Sequence, residues 1–65
     1  MFFVNPPLSE TDIQLLCNRI ENEESAENVS FVKETDFFFY FEGNLNGKRV
    51  EFSVDRTNGF IVTDE

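Results

Sequence analysis

The sequence has no histidine and no tryptophan, and its single cysteine is Cys17. Without histidine, the chain has no side chain that ordinarily titrates near neutral pH and no imidazole metal ligand. One cysteine cannot form an internal disulfide, and small secreted domains normally depend on several. We therefore expect neither histidine-based catalysis nor a disulfide scaffold, and we expect Cys17 to be a buried, unreactive thiol in a reducing cytoplasm.

Motifs for phosphates, metals and cofactors are missing as well. Gly43 and Gly47 fit turns better than a phosphate-binding loop. Residues 55–59 lack the acidic positions and the closing glutamate of a calcium loop. A substrate pocket needs on the order of a few hundred Å³, which a chain of this size rarely encloses. We expect no enzyme activity, no cofactor and no bound metal.

Long hydrophobic runs are also absent, and the apolar run at the start ends at Val4. It has no basic residues before it and is too short for a signal peptide or a membrane span. We expect residues 2–4 to form a short edge strand that ends at Pro6 and Pro7, because proline lacks the donor that a strand ladder needs.

Basic residues are few: five of them stand against thirteen carboxylates, a formal net charge of -8. The field of such a chain reaches about 8–10 Å at physiological salt. It repels nucleic acid and anionic membranes and attracts basic protein surfaces. The partner we expect is therefore a basic protein surface, with no direct contact to nucleic acid or membrane.

The chain is rich in phenylalanine, with nine Phe and one Tyr among 65 residues. Each buried aromatic side chain removes roughly 150–250 Å² from water. Acidic disordered chains are poor in aromatic residues, so this composition predicts a folded protein. We expect residues 1–65 to form a single domain.

A helix is predicted from Glu10 to Glu23 or Glu24. Ser9 is a favourable N-cap, and Leu8 and Ile13 occupy the positions of a hydrophobic staple. Apolar residues then recur at helical spacing and form one narrow stripe. The stripe consists of Ile13, Leu16, Cys17 and Ile20.

Beyond residue 28 the apolar period changes from helical spacing to two, which predicts strands. The first strand begins at Val29 and is broken or bulged near residues 34–36. Strands at 37–41, 48–55 and 60–63 follow, separated by turns at 43–47 and 57–59. The predicted fold is α+β: one N-terminal amphipathic helix packed on a three- to four-stranded antiparallel meander.

The register depends on the lengths of the two turns. A four-residue loop that pairs Glu42 with Gly47 would place Phe39 opposite Val50, and Phe37 opposite Phe52, all on the core face. In the second turn, three residues would direct Phe60 and Val62 into the core, whereas two or four residues would direct Ile61 there. We favour the three-residue turn because it buries more apolar surface.

Two groups of residues remain as candidates for binding a partner. Phe38, Tyr40 and, with the favoured three-residue turn, Ile61 fall on the outer sheet face, where residues 1–4, a second copy or a partner would cover them. The acidic candidates either solvate the surface or imitate the phosphates of a nucleic acid. They are Glu21, Glu23, Glu24, Glu27, Glu34 and Asp36.

Residues 48–62 resemble the closing hairpin of PepSY-type domains. In both, an alternating strand runs into a turn similar to Asp-x-x-Thr-Gly, here Asp55 to Gly59, and then into a short final strand. The resemblance implies a helix followed by a meander.

In size, charge and aromatic content the whole chain is similar to small acidic phage proteins that block host defences, notably anti-CRISPR proteins and other DNA mimics. That resemblance implies a non-enzymatic inhibitor, acting in the host cytoplasm, that binds the basic surface of a nucleic-acid-binding defence complex. The alternatives are a toxin-neutralising immunity-type protein and an accessory domain that dimerises. The chain is expected to be a monomer or a homodimer.

Overall fold

The computed structural model describes residues 9–64, which form one helix followed by a four-stranded antiparallel sheet. The elements are α1 (Glu10–Glu24), β1 (Glu27–Glu34), β2 (Phe38–Leu45), β3 (Lys48–Asp55) and β4 (Ile61–Asp64). Each strand pairs with the next along the chain, so the sheet order is β1-β2-β3-β4. The predicted α+β class is confirmed. The predicted strand at residues 2–4 and the staple position Leu8 lie outside the described residues.

The ends of α1 follow from local hydrogen bonding. The Ser9 hydroxyl oxygen accepts a hydrogen bond from the backbone N–H of Asp12 at 3.1 Å, and the same hydroxyl donates to Asp12 Oδ2 at 2.9 Å. Ser9 is therefore the N-cap, as predicted. At the other end, Ser25 adopts a left-handed conformation with φ of 57°, which stops the helix after Glu24.

The core lies between α1 and one face of the sheet, which we call the inner face. Leu16, Cys17 and Ile20 of the predicted stripe are buried there, and Ile13 packs against them. The ring of Phe31 meets that of Phe41 edge-on, with 5.4 Å between centroids. The buried sheet residues are Phe39, Phe41, Val50, Phe52 and Val54.

The first hairpin has a shorter turn than predicted. Asn46 and Gly47 alone form it, with φ of 54° and 81°, and Leu45 pairs with Lys48. Two positive φ values in succession are typical of the two-residue type I′ turn, in which Asn-Gly is preferred. Phe39 therefore faces Val54, so the predicted pairing of Phe39 with Val50 was wrong.

The register error left the faces unchanged because it amounts to an even number of residues. Phe41 lies opposite Phe52, and both are buried. Phe37 was expected in the core but precedes β2 and is 73% exposed, so that expectation was wrong.

Gly43 is a strand residue and not part of the turn to which the sequence pattern assigned it. A Cβ at this position would lie 2.8 Å from Val29 Cγ2 and 3.1 Å from the carbonyl oxygen of Glu27. The pairing of β1 with β2 is irregular at the same place, between Glu27 and Ser30. A glycine is therefore needed for β1 to approach β2 this closely.

The second turn has four residues, 56–59, because Val54 pairs with Ile61. Asp55 sets this length: its Oδ1 accepts hydrogen bonds from the backbone N–H groups of Thr57 at 2.7 Å and Asn58 at 3.3 Å. Gly59 closes the loop with φ of 76° and donates its N–H to the Asp55 carbonyl.

The four-residue turn decides which side of β4 is buried. Ile61 packs against the core and not on the outer face where the favoured turn would place it, whereas Phe60 is 69% exposed and Val62 is 57% exposed. The favoured three-residue turn was wrong, and the four-residue alternative is confirmed.

The two outer strands of the described sheet differ in regularity. The pairing of β1 with β2 shifts twice, between Glu27 and Ser30 and between Phe31 and Lys33. The pairing of β4 with β3 is continuous over all four residues of β4. The predicted interruption near residues 34–36 is confirmed, since β1 ends at Glu34 and β2 begins at Phe38, and the two register shifts within β1 are additional irregularities.

Candidate protein-binding face of the sheet

The face of the sheet opposite α1, which we call the outer face, carries both aromatic and acidic side chains. Strand alternation places every second residue there, and the register aligns those residues in rows across the strands. The residues of β2, β3 and β4 on this face are Phe38, Tyr40, Glu42, Asn44, Arg49, Glu51, Ser53, Asp55, Val62 and Asp64.

One half of the outer face carries four apolar or aromatic side chains, two on each side of Ser53 and Asp55 of β3. We call Phe38, Tyr40, Phe60 and Val62 the aromatic half. The rings of Phe38 and Tyr40 are 6.1 Å apart and tilted by 44°. Tyr40 and Val62 both lie opposite Ser53. The Phe60 carbonyl accepts a hydrogen bond from Asp55, the residue opposite Phe38. These apolar side chains therefore belong to two adjacent rows.

A lysine borders the aromatic half on the β1 side. Lys33 pairs with Tyr40 across β1 and β2, and its Nζ lies 5.2 Å from the centre of the Tyr40 ring. A cation at this distance is attracted to the face of the ring. The Tyr40 ring is therefore already in contact with a cation in the free chain.

The other half of the outer face carries a line of three carboxylates, which we call the acidic row: Glu42, Glu51 and Asp64. Glu51 lies opposite Glu42 on β2 and opposite Asp64 on β4. Neighbouring strands are about 4.8 Å apart, so these like charges repel one another. Arg49 forms an ion pair with Glu42 and offsets part of that repulsion. Along the strands the acidic row is about 7 Å from the row of Tyr40, Ser53 and Val62.

Three of the predicted acidic residues make bonds within the chain near the end of α1. Glu21 Oε2 accepts a hydrogen bond from the Val29 N–H at 3.3 Å. Glu23 Oε2 lies 2.6 Å from Arg19 Nε, and Glu24 Oε1 accepts from the Thr63 hydroxyl at 3.0 Å. The bonds of Glu21 and Glu24 help to hold the end of α1 against the sheet, whereas the Arg19–Glu23 pair lies within the helix.

The remaining predicted acids do not form one cluster, because Glu27 lies far from Glu34 and Asp36. Glu27 and Glu34 pair with Asn44 and Phe39 of β2, positions that are about 17 Å apart along a strand. Asp36 is exposed in the bend before β2. The structure therefore divides the predicted acidic residues between the two ends of β1, while it does bring Phe38 and Tyr40 together on the outer face.

Sequence reasoning missed the acidic row and the exposure of Phe60 and Val62. The signal for the row was present in the Asn46-Gly47 dipeptide. A two-residue turn at that point pairs Glu42 with Glu51 directly. The second signal was Asp55, whose side chain can bond to the backbone two and three residues later and so lengthen the turn.

The described residues offer little for catalysis. Cys17 is buried, and both burial and the nearby Glu21 carboxylate raise the pKa of its thiol, which keeps it protonated at neutral pH. Within residues 9–64, no three cysteine or carboxylate side chains are grouped so that they could hold a metal ion. An open depression lies beside the first turn of α1, lined by Glu10, Thr11, Ile13 and Gln14. Its lining includes no paired nucleophile and base.

Two further findings concern membrane-spanning helices and similarity to known proteins. No helix in the described residues 9–64 is both long and apolar enough to cross a membrane. The resemblances to PepSY-type domains and to small acidic phage proteins stay predictions. Comparison of the chain with protein-family models, with curated proteins and with solved structures finds no match.

Proposed function

We propose that this protein is a non-enzymatic inhibitor that occupies the basic, nucleic-acid-binding surface of another protein, in the manner of anti-CRISPR proteins and other DNA mimics. The observation that carries the proposal is the net charge of -8 on 65 residues. The chain would act in the cytoplasm, where nucleic-acid-binding defence complexes are found.

Ion pairs can neutralise only a minority of the thirteen carboxylates, because the chain has only five basic residues. Arg19 pairs with Glu23 on α1, and Arg49 pairs with Glu42 on the outer face. Both pairs are partly exposed, so each contributes little to stability and leaves the net charge unchanged. The excess of eight carboxylates over bases therefore creates a negative field around the protein.

The arrangement of the carboxylates supports competition with nucleic acid. In the acidic row, neighbouring strands hold carboxylates about 5 Å apart, a density of negative charge that a groove lined by lysine and arginine attracts. Glu27 and Asp36 extend the negative charge to other parts of the surface. A partner that normally releases counterions when it binds phosphates would bind this protein by the same electrostatic mechanism.

The test begins with the immobilised protein and a bacterial lysate treated with nuclease. Captured proteins are identified and purified, and labelled duplex DNA and single-stranded RNA are bound to each. We expect the chain to displace the nucleic acid, with an affinity that falls steeply between about 0.1 M and about 1 M salt as the Debye length shrinks from about 10 Å to about 3 Å.

Two variants make the electrostatic test specific. Neutralising three exposed acids together, by Glu10→Gln, Glu27→Gln and Asp36→Asn, should weaken displacement strongly. The matched control is Lys48→Gln, which removes an exposed positive charge and should strengthen displacement slightly.

Two results would contradict the proposal. The first is a captured partner that keeps its nucleic acid when the chain is bound at saturation. The second is binding that is insensitive both to salt and to the two charge changes, which would instead fit an immunity-type protein with a single tight partner.

A further inference from the structure

We propose that the outer face of the sheet is the contact surface, and that its ligand is a basic protein segment that also presents an exposed apolar side chain. This inference rests on the proposed function only in taking the partner to be a basic protein. It adds where the partner binds, and it requires the partner to present an apolar side chain as well as positive charge.

The aromatic half is the first observation that supports this assignment. Phe60 and Val62 are more than half exposed at the β4 side, and Phe38 and Tyr40 lie on the same face at β2, on the other side of Ser53 and Asp55 of β3. The helix covers the inner face, and no second helix exists within residues 9–64 to cover the outer one. Clustered exposed apolar side chains of this kind mark interaction surfaces in soluble proteins.

The acidic row is the second observation, and it specifies the charge of the ligand. The carboxylates of Glu51 and Asp64 lie about 7 Å along the strands from Ser53 and Val62. A ligand whose apolar side chain rests on the aromatic half would therefore need lysine or arginine one or two residues away. The rings themselves also attract cations, as the position of Lys33 over Tyr40 shows.

Charge and area both argue against a second copy of this chain as the occupant. Two copies stacked through their outer faces would bring their acidic rows together and add to the repulsion between two chains of charge -8. The face measures roughly 20 Å by 25 Å, about 500 Å², whereas a stable interface buries about 800 Å² on each partner. A short basic segment fits both limits.

The experiment uses two synthetic peptides of equal charge, one alternating lysine with phenylalanine and the other alternating lysine with serine. Each is titrated into the full ¹⁵N-labelled chain, and amide shifts are followed by NMR. We expect the lysine-phenylalanine peptide to bind about tenfold more tightly. The largest shifts should occur at Tyr40, Ser53, Val62, Glu51 and Asp64.

A surface variant and a matched control locate the apolar contact. Phe60→Ser combined with Val62→Ser changes two exposed side chains and should reduce the affinity for the lysine-phenylalanine peptide to that of the lysine-serine peptide. Leu15→Ser is the control: this leucine is 61% exposed, but it lies on α1, and its replacement should leave both affinities unchanged.

The outcomes separate this inference from the proposed function. Equal affinity for the two peptides, or shifts centred on Glu21 to Glu27, would overturn the inference and leave electrostatic binding intact. Salt-resistant binding of the lysine-phenylalanine peptide at the outer face would support the inference and contradict the proposed function. Binding of neither peptide would overturn both.

Two other occupants are tested with the same samples. Sedimentation that shows a dimer, which the Phe60→Ser and Val62→Ser changes dissociate, would assign the face to a second copy and overturn the inference. The second alternative is that residues 1–8 occupy the outer face. If the amide shifts of Tyr40 and Val62 in the peptide-free protein change in a Phe2→Ser, Phe3→Ser double variant, that alternative holds and the inference is overturned.

Discussion

Replacing Gly43 by alanine tests how closely β1 approaches β2. The added Cβ would lie 2.8 Å from Val29 Cγ2 and 3.1 Å from the Glu27 carbonyl oxygen. Contacts below 3.0 Å force one of the two groups to move. Val29 has a stiff, β-branched side chain, and the Glu27 oxygen belongs to the backbone, so neither can move easily.

Two effects of opposite sign determine the change in stability. Overpacking a well-packed site costs about 1–3 kcal/mol. Alanine also restricts the unfolded chain, which stabilises the fold by about 0.4–1 kcal/mol. We therefore expect Gly43→Ala to lower the free energy of unfolding by about 1–2 kcal/mol. A domain of this size has a total of about 3–10 kcal/mol, so the loss is a substantial fraction.

The assay is urea unfolding followed by far-UV circular dichroism, with the fluorescence of the single tyrosine, Tyr40, as a second probe. The same substitution is made in a Val29→Ala background, where Cγ2 is absent. There the loss caused by Gly43→Ala should shrink by about 0.5 kcal/mol or more, because the two side chains are in contact.

Gly47→Ala is the matched control. Gly47 has φ of 81° and nothing within 4 Å of its added Cβ, so its loss of about 1–2 kcal/mol arises from the backbone alone. That loss should be the same in the natural chain and in the Val29→Ala background. Increased stability of Gly43→Ala, or equal effects of Gly43→Ala in both backgrounds, would refute the close approach of the two strands.

Three further substitutions test other parts of the fold. Ser9→Ala should lower the free energy of unfolding by about 1 kcal/mol in urea titrations, because the Asp12 N–H loses its hydrogen-bond acceptor, and Ser9→Asn should restore most of the lost stability. Equal stability of Ser9→Ala and the natural chain would contradict the capping role of Ser9. Thr63→Val should cost about 0.5–1.5 kcal/mol by removing the bond to Glu24, whereas Thr63→Ser should keep it. Folding raises the pKa of the Cys17 thiol above its ordinary value of 9.0. As the pH rises past that value, the thiol of the unfolded chain ionises before that of the folded chain. The stability that the protonated thiol contributes is therefore complete below pH 9.0 and is lost at higher pH. The decline in the free energy of unfolding above pH 9.0 should be smaller in Cys17→Ala than in the natural chain. Parallel pH profiles of the two proteins would refute this linkage to Cys17.

The sequence was sufficient to predict the helix and the two faces of the central strands. Ser9 and the spacing of Leu16, Cys17 and Ile20 act locally, so the start of α1 and its buried side follow from neighbouring residues alone. The faces of β2 and β3 follow from the alternation of side chains along each strand. A wrong turn length leaves these faces unchanged when it shifts the register by an even number of residues.

Register and the candidate binding face were harder to predict because they depend on turn length. Two glycines, Gly43 and Gly47, both suggested a turn, and only the approach of Val29 shows that the first belongs in a strand. At β4, one residue more or less reverses the buried side. A turn chosen to bury the most apolar surface would place Phe60 and Val62 in the core. The hydrogen bonds from Thr57 and Asn58 to Asp55 instead stabilise a longer loop, which leaves both side chains exposed.

The unequal edges of the described sheet limit how native copies could polymerise. An open-ended fibre of stacked sheets requires β1 of one copy to pair with β4 of the next, so that each addition exposes a fresh edge. The two register shifts in β1 interrupt the row of backbone donors and acceptors that such pairing needs. Regular pairing is left to β4 against β4, and that two-fold arrangement consumes the usable edge of both copies. Edge-to-edge association through the strands of residues 27–64 would therefore end at two chains, and fibre growth through them would require β1 to be remodelled first.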